Sequence, residues 1–259
     1  MNGSDAGLPS CYRERRAAVP HPFVACWWEQ RVGDDRDGYV QRVVPDACAD
    51  VIVSSAGTAY VVGPATSVQL PRLAGGERLR GLRLRTAAIG AALGLPARDL
   101  RDLQVPLAEL FPHREAARIA DDVRGGRLPS VLDTGARDRR VEHAVGRLLR
   151  PASRVAAVAD DLGISERHLR RLVADHAGLE PSTLQRVARF QRFLALSDGG
   201  GREAGLAELA GRTGYADQAH LSREVRALAG LTPSALLAER KRAARRGDGP
   251  MTGPPPRSV

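Results

Sequence analysis

Aromatic side chains make up only 4% of the 259 residues, so the interior must be packed from Leu, Val and Ala instead of stacked rings. Cysteine is scarce as well. Cys11, Cys26 and Cys48 are odd in number and lack CxxC spacing, which argues against a disulfide framework or a four-ligand zinc site and leaves reduced thiols as the expectation. Long apolar runs are missing too. The longest uncharged stretch, Val51 to Pro71, is broken by Pro64, Gln69 and several Ser, Thr and Gly residues, and the opening MNGSDAGLPSCYRERR has no apolar signal core. Neither segment can form a spanning helix or a secretory leader, so a cytoplasmic location is expected. Among His21, His113, His143, His168, His176 and His220 there is no HExxH pair, and no G-x-S-x-G elbow or Walker-type loop occurs. No catalytic residue, cofactor or metal is therefore expected. Lysine occurs once, at Lys241, against 38 arginines, a bias that carries no chemistry of its own.

What remains is a chain that is 43% hydrophobic, enough for a packed interior, with a length that suits two modest domains. Its 39 basic and 30 acidic residues leave a net charge of +9, which points toward a polyanionic partner. The excess is uneven. Residues 1–139 hold 19 Arg and 17 acids, whereas residues 140–259 hold 20 basic residues and 13 acids, so a nucleic-acid surface belongs in the C-terminal half.

The N-terminal half reads as short extended pieces: Phe23 to Gln30, Tyr39 to Val44, Val51 to Ser54 and Ala59 to Val62, separated by Gly, Pro and Asp. Leu82, Arg83, Leu84 and Arg85 alternate as a half-buried strand does. Trp27 and Trp28 must point to opposite faces of their strand, so core packing is favoured over a shared ligand pocket. Asp46, Cys48 and Asp50 could share a strand face, but two carboxylates with a thiol make an unusual metal site. The pattern turns helical at Thr86, stops at Gly94 and Pro96, resumes from Arg114 to Val123, and runs on from Asp138 almost to the end. The expected fold class is α+β: a β-rich domain at residues 1–112, a helical linker at 113–138, an all-α domain at 139–240, and a basic, Pro- and Gly-rich disordered tail at 241–259.

An internal repeat carries most of the information. Ala159 and Gly163 recur 51 positions later as Ala210 and Gly214, and Leu169, Arg171, Val173, Gly178 and Leu179 recur 52 positions later as Leu221, Arg223, Val225, Gly230 and Leu231. Pro181, Ser182 and Leu184 likewise return as Pro233, Ser234 and Leu236, so the second copy holds one extra residue between Gly214 and Leu221. Each copy satisfies the demands of a helix-turn-helix: Val155, Val158 and Leu162 form an apolar stripe, Ala159 allows a close crossing, Gly163 a sharp exit, Ile164 a plug, and Ser165 a cap. On the following helix Leu169, Leu172 and Val173 face inward, which at 100° per residue leaves Arg167, Arg170 and Arg171 outside. In the second copy Leu206, Leu209, Ala210, Gly214 and Tyr215 make the first helix and turn. Leu221, Val225 and Leu228 are the buried stripe of the next helix, with Ser222, Arg223 and Arg226 outside and Gln218 at the edge. Gln, Ser and Arg are side chains that read base edges. Pro181 to Ser197 should form the connecting helix, with Leu184, Val187 and Leu194 on one side and Phe193 on another. Its length of roughly 25 Å suits two heads on successive turns of major groove, about 34 Å apart once the heads' own width is added.

Residues 141–240, above all GYADQAHLSREVRALAGLTPSALL, resemble the DNA-binding domain of the AraC/XylS family of bacterial transcription regulators. The resemblance implies a sequence-specific regulator of transcription with two helix-turn-helix motifs, in which Arg167, Arg170 and Arg171, then Gln218, Ser222 and Arg223, meet bases, with Arg226 on the same outer face. Val225 stands where the family often has an aromatic. CWWEQR, RVVPDACADVIV and VVGP are similar to a sensor-like domain found ahead of such DNA-binding domains, which implies an effector or dimerisation role. Double-stranded DNA is the implied partner; RNA polymerase, a small-molecule effector and a second copy of the chain are further partners the resemblance allows. The rival reading is a DNA-acting enzyme using cysteine-dependent alkyl repair, although the three cysteines do not reproduce that branch's zinc cluster. Another is an architectural protein without a preferred site.

Overall fold

Alternating apolar residues in the N-terminal half build an antiparallel sheet. The computed structural model describes residues 10–15, 21–34, 38–133, 137–199 and 205–246. Eight strands follow in chain order: β1 Cys11–Arg15, β2 Val24–Arg31, β3 Tyr39–Val40, β4 Ala49–Ser54, β5 Ala59–Val62, β6 Arg72–Leu73, β7 Arg78–Leu84 and β8 Gln104–Pro106. Six of them form one sheet in the order β1-β2-β7-β4-β5-β8, and β3 pairs with β6 in a separate ribbon. The run expected from Tyr39 to Val44 is regular only at its start; beyond Val40 a single bridge joins Val43 to Gln69.

Three short helices cover one sheet face: α1 Ile89–Leu93, α2 Leu107–Leu110 and α3 His113–Arg124. Val51, Val53, Val61, Leu82 and Leu84 meet Ile89, Leu93, Ile119 and Val123 there in one core. The region 113–138, expected as a helical linker, therefore contributes to the N-terminal unit, because Ala116, Ile119, Ala120 and Leu132 complete that core. Trp27 packs against this face. Trp28 belongs to the other, with Ile52, Leu73 and Leu79, as the alternation required. Its indole lies flat over Gly81, where an added Cβ would come within 2.0 Å of the ring, so only glycine fits.

The same face buries charge that the sequence reading left in solvent. Arg83 is only 1% exposed. Its Nε and Nη2 donate to both oxygens of Asp50 at 3.1 and 3.2 Å, while Nη1 lies 3.5 Å from Asp46 and 3.5 Å from Glu14. Trp28 Nε1 donates to Asp50 at 2.8 Å. Two carboxylates of the considered Asp46, Cys48 and Asp50 set thus hold a guanidinium, and among the described residues no group of His, Cys, Asp and Glu is arranged for a metal. Burial pushes the Cys26 thiol up to about 12 and raises Cys48 as well, which favours the protonated thiol at both. All three cysteines are free. At pH 8 Cys26, 1% exposed, is expected to react with a disulfide reagent only on the timescale of unfolding; rapid labelling in the native state, read by mass spectrometry, would contradict this burial.

Seven helices follow: α4 Arg139–Leu148, α5 Val155–Asp161, α6 Glu166–Ala177, α7 Pro181–Asp198, α8 Leu206–Thr213, α9 Gln218–Ala229 and α10 Pro233–Arg246. They enclose two cores. Leu184 and Val187 of α7 join Val145, Val158, Leu169 and Val173 in the first, whereas Phe190, Phe193 and Leu194 join Leu209, Leu221, Val225 and Leu228 in the second. Leu194 therefore sides with Phe193, contrary to the expected grouping, because α7 passes from one core to the other along its length. The end of the chain is also more helical than expected, since α10 continues through residues 241–246; the GDGPMTGPPPRSV segment lies outside the described residues. No helix among the described residues is long and apolar enough to cross a membrane.

Candidate nucleic-acid interface

Both repeat copies close their turns by the same backbone device. Gly163 and Gly214 adopt φ of +63° and +84°, which glycine alone takes without cost, and the following amides fold back: Ile164 N donates to Ala159 at 3.1 Å and Tyr215 N to Ala210 at 2.9 Å. Ser165 Oγ then accepts from His168 N at 3.2 Å to start α6, and Asp217 Oδ1 accepts from His220 N at 2.6 Å to start α9. The extra residue of the second copy thus lies in the turn, which runs Tyr215, Ala216, Asp217 where the first has only Ile164, Ser165. The sequence reading missed the Asp217 cap, although Asp ahead of an apolar helical pattern is an available signal.

Tyr215 fills the second turn at 4% exposure, lies edge-on to His220 at 5.3 Å, and carries the Arg189 guanidinium over its ring at 5.4 Å. Burial raises its hydroxyl. Val225 is fully buried, so an aliphatic side chain serves where the family often has a ring. A second pairing escaped the sequence reading: Arg186 of α7 grips Glu224 of α9 through two bonds of 2.9 and 3.2 Å, fixing the rotation of that helix.

The outward residues stand largely as their spacing required. Arg167, Arg170 and Arg171 on α6 are exposed, as are Gln218, Arg223 and Arg226 on α9, and Ser222 is half-buried. Arg170 is engaged by Glu166 at 3.0 Å one turn earlier. Among the described residues no hydrogen bond or ion pair occupies the side chains of Arg167, Arg171, Arg223 or Arg226, whereas Arg147, Arg186, Arg212 and Arg240 are all paired with carboxylates. Unpaired guanidinium groups on two capped helices are free to exchange water for phosphate or guanine edges.

Contacts of the sheet domain with these helices gather at their C-terminal ends. Gly90 packs against Asp175 and His176, Gly178 against Pro64 and Ala97, and Arg98 pairs with Asp175, all at the C-terminal turn of α6. On α9 the contacts are with Ala229 and Gly230. The N-terminal turns, with Arg167 on α6 and Gln218 on α9, are exposed.

Comparison with known proteins agrees with this division. Residues 158–239 match the helix-turn-helix domain family, and residues 21–106 match a domain of unknown function, DUF6597. No curated protein matches the chain in sequence. Among solved structures it is similar to ToxT from Vibrio cholerae O395, with 13% identity and a TM-score of 0.39 over 91% of this chain and 98% of that one. It is also similar to unsaturated fatty acid bound wild-type ToxT from Vibrio cholerae strain SCE256, with 13% identity and a TM-score of 0.38 over 92% and 97%. Residues 158–239 thus form an AraC-type helix-turn-helix domain carried behind a DUF6597 domain, and the chain is a DNA-binding transcription regulator.

Proposed function

We propose that one chain reads two successive major-groove segments of duplex DNA. The α6 face supplies Arg167, Arg170 and Arg171, and the α9 face supplies Gln218, Ser222, Arg223 and Arg226. Helix N-termini and arginines on phosphates provide affinity, and the side chains that reach base edges provide sequence choice. The carrying observation is that Arg171 and Arg223, which occupy the same place in the two copies, are both exposed and free of carboxylates, whereas Arg170 beside the first is held by Glu166. The domain order we assign is a sensing or dimerising unit at residues 1–112 whose core is completed by Ala116 to Leu132, followed by the reading domain at 139–240, in a cytoplasmic protein without enzymatic activity. RNA polymerase and a small-molecule effector are its remaining partners in this reading, and a second copy is not needed for two-site reading.

Selection of the full-length protein on random duplexes tests this. An enriched motif with two half-elements is expected, and enrichment of nothing points to an architectural protein. On the enriched duplex, Arg171→Ala and Arg223→Ala are each expected to cost about 1–3 kcal/mol and to relax choice within their own half-element. An equal loss on every duplex would assign these side chains to phosphates only.

A further inference from the structure

Between β3 and β4 the chain leaves the sheet and crosses the seam between the two helical units. Val44, 4% exposed, enters the second core beside Phe190 and Leu228. Three positions on, Ala47, 1% exposed, enters the first core beside Val141 and Val173. Between them the carbonyl of Pro45 accepts from Nε2 of Gln191, a buried residue in the middle of α7. Arg42 reaches further: Nη1 donates to the Ala229 carbonyl at the end of α9 at 2.8 Å, and Nε donates to Glu239 of α10 at 2.8 Å. This strap is tied to the sheet at both ends, by Gln41 accepting from Gln30 and by Asp46 lying 3.5 Å from the buried Arg83.

Its backbone is held against its own preference. Ala47 sits at φ +62°, a region that favours glycine, while its methyl fills the first core. A segment inserted into two cores, bonded to the helix between them and strained to do so has more than a connecting role. Without it, the relative angle of α6 and α9 would rest on α7 and its flanking contacts, and a single helix bends and twists readily.

We infer that residues 42–47 form a positioning element that sets the distance and angle between the two recognition helices, with Arg42 holding the second head against the first. The inference rests on the two-head reading above and deepens it: the strap makes the chain selective for one spacing of half-elements. Such rigidity lets the second head dock without a further ordering cost, and a wrong spacing then sacrifices one head's contacts.

The experiment uses the full-length protein, the duplex enriched by the wild type, versions with one or two base pairs inserted between the half-elements, and duplexes carrying one half-element. Insertion is expected to weaken wild-type binding roughly 10- to 100-fold, the loss of a few base contacts. Arg42→Ala and Ala47→Gly are expected to bind single half-elements like the wild type and to shrink the insertion penalty to about threefold. Glu239→Gln, which leaves the bond to the Ala229 carbonyl, gives an intermediate penalty and serves where a stronger variant unfolds. An unchanged penalty in folded variants overturns the inference, and so does a wild type that tolerates insertion. Failure of the two-head reading is distinguishable, because it appears with the wild type alone, as an enriched motif lacking a second half-element.

Discussion

Arg83→Leu is expected to destabilise the N-terminal domain by about 3–5 kcal/mol, because it removes the guanidinium that is bonded to both oxygens of a buried carboxylate. Asp50 is the residue left behind. It is 9% exposed, and with Arg83 in place burial already pushes its carboxyl above the ordinary range against the pull of the guanidinium. In the variant that rise grows. A folded carboxyl that holds its proton more tightly than the unfolded chain makes stability fall as pH rises through its folded pKa. The deficit should therefore shrink as pH is lowered from about 7 toward the unfolded carboxylate value near 4. Adding Asp50→Asn should recover part of the loss at neutral pH. Urea unfolding at several pH values checks each step, and a pH-independent loss below about 1 kcal/mol would show that the cluster contributes no more than surface pairs do. Arg15 and Glu29, 72% and 40% exposed, are such a pair.

The second large effect lies in the reading domain. Leu221 is fully buried in the second core among Phe193, Leu209 and Leu228, so Leu221→Ala leaves a cavity worth about 2–5 kcal/mol. Its counterpart Leu169, also fully buried, occupies the same place in the first core. Because the two cores are separate clusters joined through α7, each substitution should loosen mainly its own unit. Leu221→Ala should weaken binding to the second half-element and leave the first largely intact, and Leu169→Ala the reverse. Hydrogen exchange resolves this. Faster exchange confined to α8 to α10 in Leu221→Ala is the expected result, and uniform acceleration over all the helices would mean that the two units unfold as one.

How much of this was legible beforehand differed between the halves for a physical reason. The repeat could be read because a helix-turn-helix is specified locally: Gly163 and Gly214 need positive φ, Ser165 caps within three residues, and Leu169 with Val173 is one turn of one face. The outward placement of Arg171 and Arg223 followed from the same angle of rotation. The strands of the N-terminal half were legible as pieces, since Val51 to Ser54 and Ala59 to Val62 have β-branched content and turn punctuation. Their order was not, because Trp28 faces Gly81 across more than fifty positions of chain, and period-two alternation does not name a partner.

The fate of individual arginines shows the boundary most clearly. Arg83 and Arg171 look alike in sequence, each beside leucines in an amphipathic stretch. One is buried under three carboxylates from β1, β4 and the strap, and the other stands free in solvent. Arg42 lies in what reads as a strand and instead closes the end of a helix almost two hundred residues away.

By itself, then, the sequence determined two helical reading units with arginines on their outer faces, because spacing of three and four residues, caps and turn glycines act over a few ångströms of chain. Tertiary structure alone decided which guanidinium groups are neutralised by distant carboxylates, which remain available to DNA, and that a strap from the sheet domain is wedged between the two units. Those outcomes depend on which remote surfaces are brought together, and electrostatic pairing and core insertion carry no local signature.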